Sequence, residues 1–198
     1  MSKTEVFIDS NAWNTFFQLS NCMCKHLPPK KYSFCINREV TFEINAIPKN
    51  GKDKKKLIQF IKKCINCCVS EQPIFGFADP ALPPEQQRVG GFDQGRFAQL
   101  DEEIFRKELN NLYLDKEKQR PETKLYKNEA DIDLAVRSIH GIVITNDIKK
   151  GPLREAHNRG YNIVYLDKFT PNNDNLEQYI VNQLQLNKRN LNAENLCR

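Results

Sequence analysis

Two short apolar runs in this sequence stop on aspartate. Val6-Phe7-Ile8 leads into Asp9, and Ile142-Val143-Ile144-Thr145-Asn146 leads into Asp147. Continuous apolar runs of this length read as buried parallel strands, and open α/β sheets bind ligands at the carboxyl ends of such strands. If the two strands are neighbours, both carboxylates leave the sheet at one rim. One Asp at such a place is an ordinary turn or cap residue; the pair is the informative feature. Glu43 adds a third acid, on the helical face of Val40 and Ile47. A carboxylate on an apolar face is costly to bury unless it is paired or binds a metal. Asp131 and Asp133 open a later helix. Two helical positions turn a side chain through about 200°, so the two acids diverge. Asp131 lies with Leu134, Ala135 and Ser138 on the side expected to meet the sheet, and Asp133 is kept as an alternative or supporting acid. Carboxylates that converge without a matching cluster of Lys or Arg repel one another, and a hard divalent cation, Mg²⁺ or Mn²⁺, relieves that repulsion. A metal held this way activates water and stabilises displacement at phosphorus, so phosphodiester hydrolysis is the expected chemistry.

The elements that must position these acids alternate along the chain. Strands are expected over 5–8 and 33–36. The first is followed by a helix from Ala12 to about Leu19, capped by Ser10 or Asn11, and the second by a helix that Asn37 caps and Pro48 closes. Lys49–Lys56 reads as a basic loop. From Leu57 the residues Leu57, Ile61, Cys64, Ile65 and Cys68 mark one helical face. Residues 73–96 are irregular and end in the glycine-rich run 90–95, for which the sequence offers no role. A helix is expected from Phe97 to about Leu114, then a polar connection to Lys127. The last third reads as helix 129–139, capped by Asn128, strand 142–145, helix 152–159, strand 162–166 and helix 176–186, with an Asn-rich tail. This alternation predicts one α/β domain over 1–198, its parallel sheet covered on both faces. It also predicts a helical insertion at about 49–127 and a C-terminal helix and tail at about 175–198.

The chain has 198 residues, long enough for a core without disulfide staples. No apolar run approaches the ~20 residues of a membrane span, so no membrane partner is expected. The first residues lack the pattern of a secretory signal. With seven cysteines, an odd number, reduced thiols and a cytoplasmic location are expected. A net charge of +5 permits a nucleic-acid partner without demanding one. Lys54, Lys55 and Lys56, within the lysine-rich segment 49–63, are candidates to touch RNA phosphates, and equally a solvated surface. Arg88 and Arg96 flank the glycines and are candidates to clamp a substrate backbone. Cys22-x-Cys24-x-His26 and Cys64-x-x-Cys67-Cys68 resemble zinc-ligand spacings superficially. Cys64 and Cys68, however, continue an apolar helical face where unliganded cysteine commonly sits, which favours core thiols. Trp13 is expected in the core. There is no P-loop, and Asp9-Ser10-Asn11 lacks the Asp-x-Asp of a haloacid-dehalogenase-like phosphatase.

The stretches VFIDSNAW (6–13), REVTFEINAI (38–47), NEADIDLAVRS (128–138) and IVITNDIKKGPLREAHNRGYNIVYL (142–166) together resemble the PIN-domain nucleases. The resemblance covers 4–47 and 128–167 in the family's order. It implies a three-layer α/β/α fold around a central parallel sheet of four or five strands, and Mg²⁺- or Mn²⁺-dependent endonucleolytic cleavage of RNA that leaves a 5′-phosphate and a 3′-hydroxyl. It carries the four acids onto Asp9, Glu43, Asp131 and Asp147 as metal-binding and catalytic residues, with Asn11, Thr145 and Asn146 supporting the metal site. Small bacterial members are often VapC-type toxins, dimeric and paired with an antitoxin protein; this chain is larger than those. The competing expectation is a non-enzymatic RNA-binding or scaffold protein on a PIN-like fold, in which the lysine segment dominates.

Overall fold

The computed structural model describes residues 2–19, 23–171 and 174–196, with the backbone alone for 190–196. The elements in chain order are β1 (Thr4–Ile8), α1 (Trp13–Gln18), β2 (Tyr32–Ile36), α2 (Arg38–Asn45), α3 (Lys52–Cys67), β3 (Val69–Glu71), β4 (Ile74–Phe75), β5 (Val89–Gly90), α4 (Leu100–Tyr113), β6 (Asp115–Gln119), β7 (Tyr126–Lys127), α5 (Glu129–Arg137), β8 (Ile142–Thr145), α6 (Pro152–Asn158), β9 (Ile163–Tyr165) and α7 (Leu176–Leu196). Five strands form one parallel sheet in the order β3-β2-β1-β8-β9. Val6, Phe7, Ile8, Val143 and Ile144 are fully buried, as strands covered on both faces must be. From β1 the chain steps outward through β2 to β3, then returns to β8 and steps the other way to β9. With right-handed crossovers, this reversal puts helices on both faces and makes the β1–β8 boundary the switch point of the sheet. The α/β/α architecture with its parallel sheet is therefore the one expected from the alternation.

Residues 49–127 depart from a helical insertion. Helix α3 and strand β3 belong to the core fold, because β3 is the edge strand beside β2 (Phe34↔Val69). The helix also begins at Lys52, so Lys54, Lys55 and Lys56 lie on its exposed first turns rather than in a loop. Strands β4 and β5 pair in parallel, and β6 and β7 form an antiparallel ribbon where a plain connection was expected. The glycine run has a packing role in this region: a Cβ on Gly95 would stand 2.6 Å from the backbone nitrogen of Phe75, so only glycine allows the close approach. Helix α7 runs on to Leu196 instead of fraying after Leu186, and Asn187 ties the extension down by donating to the carbonyls of His157 and Tyr161. Trp13 is fully buried and meets Phe16 and Phe60 edge-on, as expected of a core residue.

Behind the switch point lies a buried ionic network. Asp133 accepts from Arg137 Nε and from Arg106 Nη2, both at 2.5 Å, and from Asn37 Nδ2 at 2.7 Å. Burial alone would raise its pKa, but Arg137 and then Arg106 more than offset this and hold it well below the usual carboxylate range. Asn37 also caps α2, its Oδ1 accepting from Val40 N at 2.9 Å. The network therefore fixes the helix that carries Glu43 to the helix that carries Asp131. Removing one partner of a buried pair leaves an uncompensated charge, at a cost of about 3–5 kcal/mol. Arg137→Met should accordingly lower stability by about that amount in urea unfolding, and an unchanged midpoint would show that the network contributes nothing to folding.

Candidate active site

The register Val6↔Ile142, Phe7↔Val143, Ile8↔Ile144 sets Asp9 beside Thr145 where the two strands end. The Asp9 amide donates to Ile144 O at 3.0 Å, and its carboxylate accepts from Thr145 Oγ1 at 2.6 Å. Asp147 follows on the neighbouring strand, its amide donating to the same Thr145 Oγ1 at 2.9 Å. One hydroxyl thus links the two strand-end acids. Asn11 and Asn146 lock the two loops together: Asn11 Oδ1 accepts from Asn146 N at 2.7 Å, and Asn146 Nδ2 donates to Asn11 O at 3.0 Å. These bonds explain why neither Ser10 nor Asn11 caps α1, whose first turn starts at Ala12 without a side-chain cap. Asn11 serves Asn146, and Ser10 Oγ donates to Glu43 Oε2 at 2.6 Å. Asn128 likewise is no side-chain cap for α5; it takes a left-handed conformation and donates to Tyr113 O.

Four acids meet electrostatically at this rim. Asp9 is 2% exposed. Burial pushes its pKa up to about 6 against the Thr145 hydrogen bond, with the charges of Glu43 and Asp147 adding to the rise. Burial also pushes Asp131 up to about 7, followed by the charges of Asp9, Glu43 and Asp147, while Arg120 pulls it down. Asp131, on the first turn of α5, therefore belongs to the group. Asp133, two residues on, faces the Arg137–Arg106–Asn37 network and is not an alternative for it. The cleft over Asp131 and Asp147 has a volume of about 270 Å³, and Arg120, Lys127, Lys149 and Lys150 complete its wall. A larger hollow of about 460 Å³ lies beside β4 and β5, where Arg38 and Glu71 pair with each other at 2.7 Å.

Two contributors were missed in the sequence. Ser10 reads only as a candidate helix cap, and Arg120 lies in what reads as a polar connection. Arg120 Nη1 donates to Glu43 Oε1 at 2.9 Å, and this long-range contact has no local signal. The two arginines proposed as a substrate clamp are otherwise engaged. Arg88 binds Glu129 at 3.0 Å and the carbonyls of Gln86 and Lys124. Arg96 forms a two-pronged pair with the fully buried Glu102, at 2.7 and 2.5 Å. Lys54, Lys55 and Lys56 are solvent-facing. Helix α3 descends to the start of β3, which puts its lysine-rich amino end on the side of the sheet where the strands' carboxyl ends lie.

The donor set suits a hard divalent cation. Its ligands are carboxylate oxygens, two of them held by burial and mutual repulsion far from their ordinary pKa. The cation paired within the group, Arg120, has a half-exposed side chain. Among the described residues, no three carboxylates bring oxygens within 4.8 Å of one another; the three-ligand set that does converge so closely is Cys24, Cys67 and Cys68. Asp131 and Asp147 line the cleft, with Asp9 buried behind it, and a site held by few protein ligands leaves coordination places for water and a phosphate oxygen, as Mg²⁺ prefers. Of the other cysteines in the zinc-like spacings, Cys64 is buried core, as expected, and Cys22 lies outside the described residues. Comparison with protein-family models, with curated proteins and with solved structures finds no match to the chain.

The raised pKa values of Asp9 and Asp131 give stability a pH dependence with a definite sign. Both ionise near 3.8 when unfolded and near 6 and 7 when folded, so between these values the folded state holds more protons. Their contribution is present at low pH and is lost as pH rises through 6 to 7. Without metal, the urea midpoint should fall from pH 5.5 to pH 8, by an amount on the order of a few kcal/mol. Mn²⁺ should restore it at pH 8 by binding the ionised folded state. Asp131→Asn should flatten the profile, and a midpoint that rises from pH 5.5 to pH 8 would contradict the assignment.

Proposed function

We propose that this chain is a divalent-metal-dependent endoribonuclease of PIN-like type, hydrolysing RNA phosphodiester bonds at the rim where β1 and β8 end. One observation carries the reading: Asp9, Glu43, Asp131 and Asp147 come together from four separate elements, and burial first, then their mutual charge, raises the pKa of Asp9 and Asp131. Like charges that disfavour one another's ionised form are favoured by a bound cation, and perturbed carboxylates gathered at a strand-end rim support a functional site. The same positions carry the resemblance in the sequence.

Asp9, Glu43, Asp131 and Asp147 would hold Mg²⁺ or Mn²⁺. When bound, the metal supplies an activated water and neutralises charge developing at phosphorus. The protein's own groups do the rest. Thr145 and Ser10 fix the orientation of Asp9 and Glu43 through hydrogen bonds of 2.6 Å each. Lys127, Lys149 and Lys150 line the cleft and offer charge to the phosphate oxygens on either side of the reacting one. Asp131, whose pKa burial and the neighbouring acids raise to about 7 in the free site, would give up its proton as the cation binds. In the reaction the water oxygen bonds to phosphorus and the bond to the 3′ oxygen breaks. That oxygen keeps its electron pair and gains a proton, giving a 3′-hydroxyl and a 5′-phosphate. The exposed lysines of α3 extend the positive surface along which a single strand would lie.

The reading is tested by incubating single-stranded RNA with the wild-type chain and with Asp9→Asn and Asp147→Asn, in Mn²⁺, in Mg²⁺ and in EDTA. Wild-type protein should cleave only with metal. Each variant should lose about two to three orders of magnitude in rate, the scale seen when a group that stabilises developing charge is removed, and should still bind RNA in a gel-shift assay. Cleavage by Asp9→Asn at the wild-type rate, or tight RNA binding without cleavage by wild type in any metal, would exclude the mechanism; the second result would favour a binding protein.

A further inference from the structure

The reduced thiols of this chain are not all in the core. Cys24 sits in a 3₁₀ turn, Met23–Lys25, soon after α1. Cys67 is the last residue of α3, and Cys68 follows it outside helical geometry, with φ −154° and ψ −1°. That break allows two successive side chains to converge, and the three sulfur atoms lie within 4.8 Å of one another. Cys64, one turn earlier, is 1% exposed and packs in the core. The apolar helical face accounts for Cys64; Cys24 and Cys68 pack against the edge of that core with part of their surface, and Cys67 does not join it. Cys67 is exposed, and Cys24 and Cys68 are half-buried, so a metal can reach them from solvent.

We propose that Cys24, Cys67 and Cys68 form a zinc site that ties the turn after α1 to the carboxyl end of α3. Three thiolates are soft ligands and select Zn²⁺ over the Mg²⁺ or Mn²⁺ suited to the carboxylates. Zn–S bonds of about 2.3 Å in a tetrahedron put sulfurs about 3.8 Å apart, within reach of the observed cluster by small side-chain adjustments. His26, two residues beyond Cys24, is the candidate for the fourth coordination place. Its Nε2 is buried with no hydrogen-bond partner among the described residues. The three sulfurs converge without His26, and rotation of its side chain toward them would complete a Cys₃His set, a common composition for structural zinc. Both α1 and α3 run from the carboxyl rim toward the opposite end of the sheet, so the ion would fasten the two helices at the end remote from the acids. The assignment does not depend on the nuclease reading.

Protein produced in zinc-supplemented medium and purified under reducing conditions should contain about one equivalent of zinc by elemental analysis. Its cobalt-substituted form should show thiolate-to-cobalt charge transfer. Cys24→Ser combined with Cys67→Ser should bring zinc to near zero and lower the thermal midpoint, while Asp9→Asn keeps the full zinc content. His26→Ala should surrender the ion at a lower chelator concentration than wild type. Absence of zinc from the reduced wild-type protein, or zinc retained by the double serine variant, overturns the proposal. Because the cobalt spectrum is read on wild-type protein, a double variant that fails to fold leaves the test decisive. An unchanged chelator midpoint in His26→Ala removes His26 from the site.

Discussion

The parallel pairing of β1 with β8 is the constraint from which the candidate site follows. Once Val6 opposes Ile142 and Ile8 opposes Ile144, Asp9 must stand beside Thr145, and Asp147 two residues later. The chain cannot separate these acids without shifting the register, and a one-residue slip would turn Val6, Ile8, Ile142 and Ile144 onto the wrong faces of a fully buried sheet. Hydrophobic burial thus does electrostatic work: it holds like charges together at the boundary where the strand order reverses. The Thr145 hydroxyl donates to one acid and accepts from the backbone amide of the other, so both are oriented by the same atom.

Helix α5 shows how environment divides the roles of similar side chains. Asp131 and Asp133 are the same residue type in consecutive turns of one helix, yet their pKa values move in opposite directions. Both are penalised by burial. Asp133 meets two guanidinium groups and an amide that overcome the penalty. Asp131 meets three further carboxylates and only the more distant help of Arg120. Glu39 makes the same point from α2. It is buried beside Asp133, and burial followed by the charge of Asp133 raises its pKa, although Arg106 and Arg137 are near. Both arginines bond to Asp133, and Glu39, buried without such a bond to them, is pushed toward its protonated form. At the rim, by contrast, Arg120 pairs with Glu43 and lysines line the cleft wall, yet among the described residues Asp9 and Asp131 have no guanidinium bonded to them.

The parts of the fold legible in sequence are those with a long or continuous pattern. The apolar runs before Asp9 and Asp147, the Asn37 cap and the alternation after residue 128 all carry enough residues to show a period. Strands β3, β4 and β5, with three, two and two residues, are too short for one. The start of α3 is hidden because Lys52 and Lys54–Lys56 give no apolar face, although lysine is an adequate helix former. For the site, the acids were readable because a strand end or a helix face locates each one. Arg88, Arg96 and Arg120 were not, because an arginine's role depends on its partner. Glu129 and Glu102 take the first two, and Glu43 takes the third. Nothing within a few residues of any of them announces that choice.

The two ligand sets on this chain differ in hardness and in place, and the difference follows from the topology. In a parallel sheet, the loops after the strands collect at one end, and the turns that lead back from the helices collect at the other. Asp9, Asp131 and Asp147 occupy the first kind of position. Cys67 and Cys68, at the junction of α3 with β3, occupy the second, with Cys24 in the turn that leads α1 back toward β2. Of the oxygen donors at the rim, Asp131 and Asp147 line a cleft, and the sulfur donors at the far end lie within 4.8 Å of one another. The first geometry leaves coordination places for reacting groups. The second would hold an ion through a fuller set of protein ligands. Helices α1 and α3 join the ends, one carrying Ser10 and Asn11 at its start and the other the lysine-rich turn. Fixing their far ends would restrict how those residues move at the rim. That is a mechanical coupling through packed helices, and it asks for no contact between the two sites.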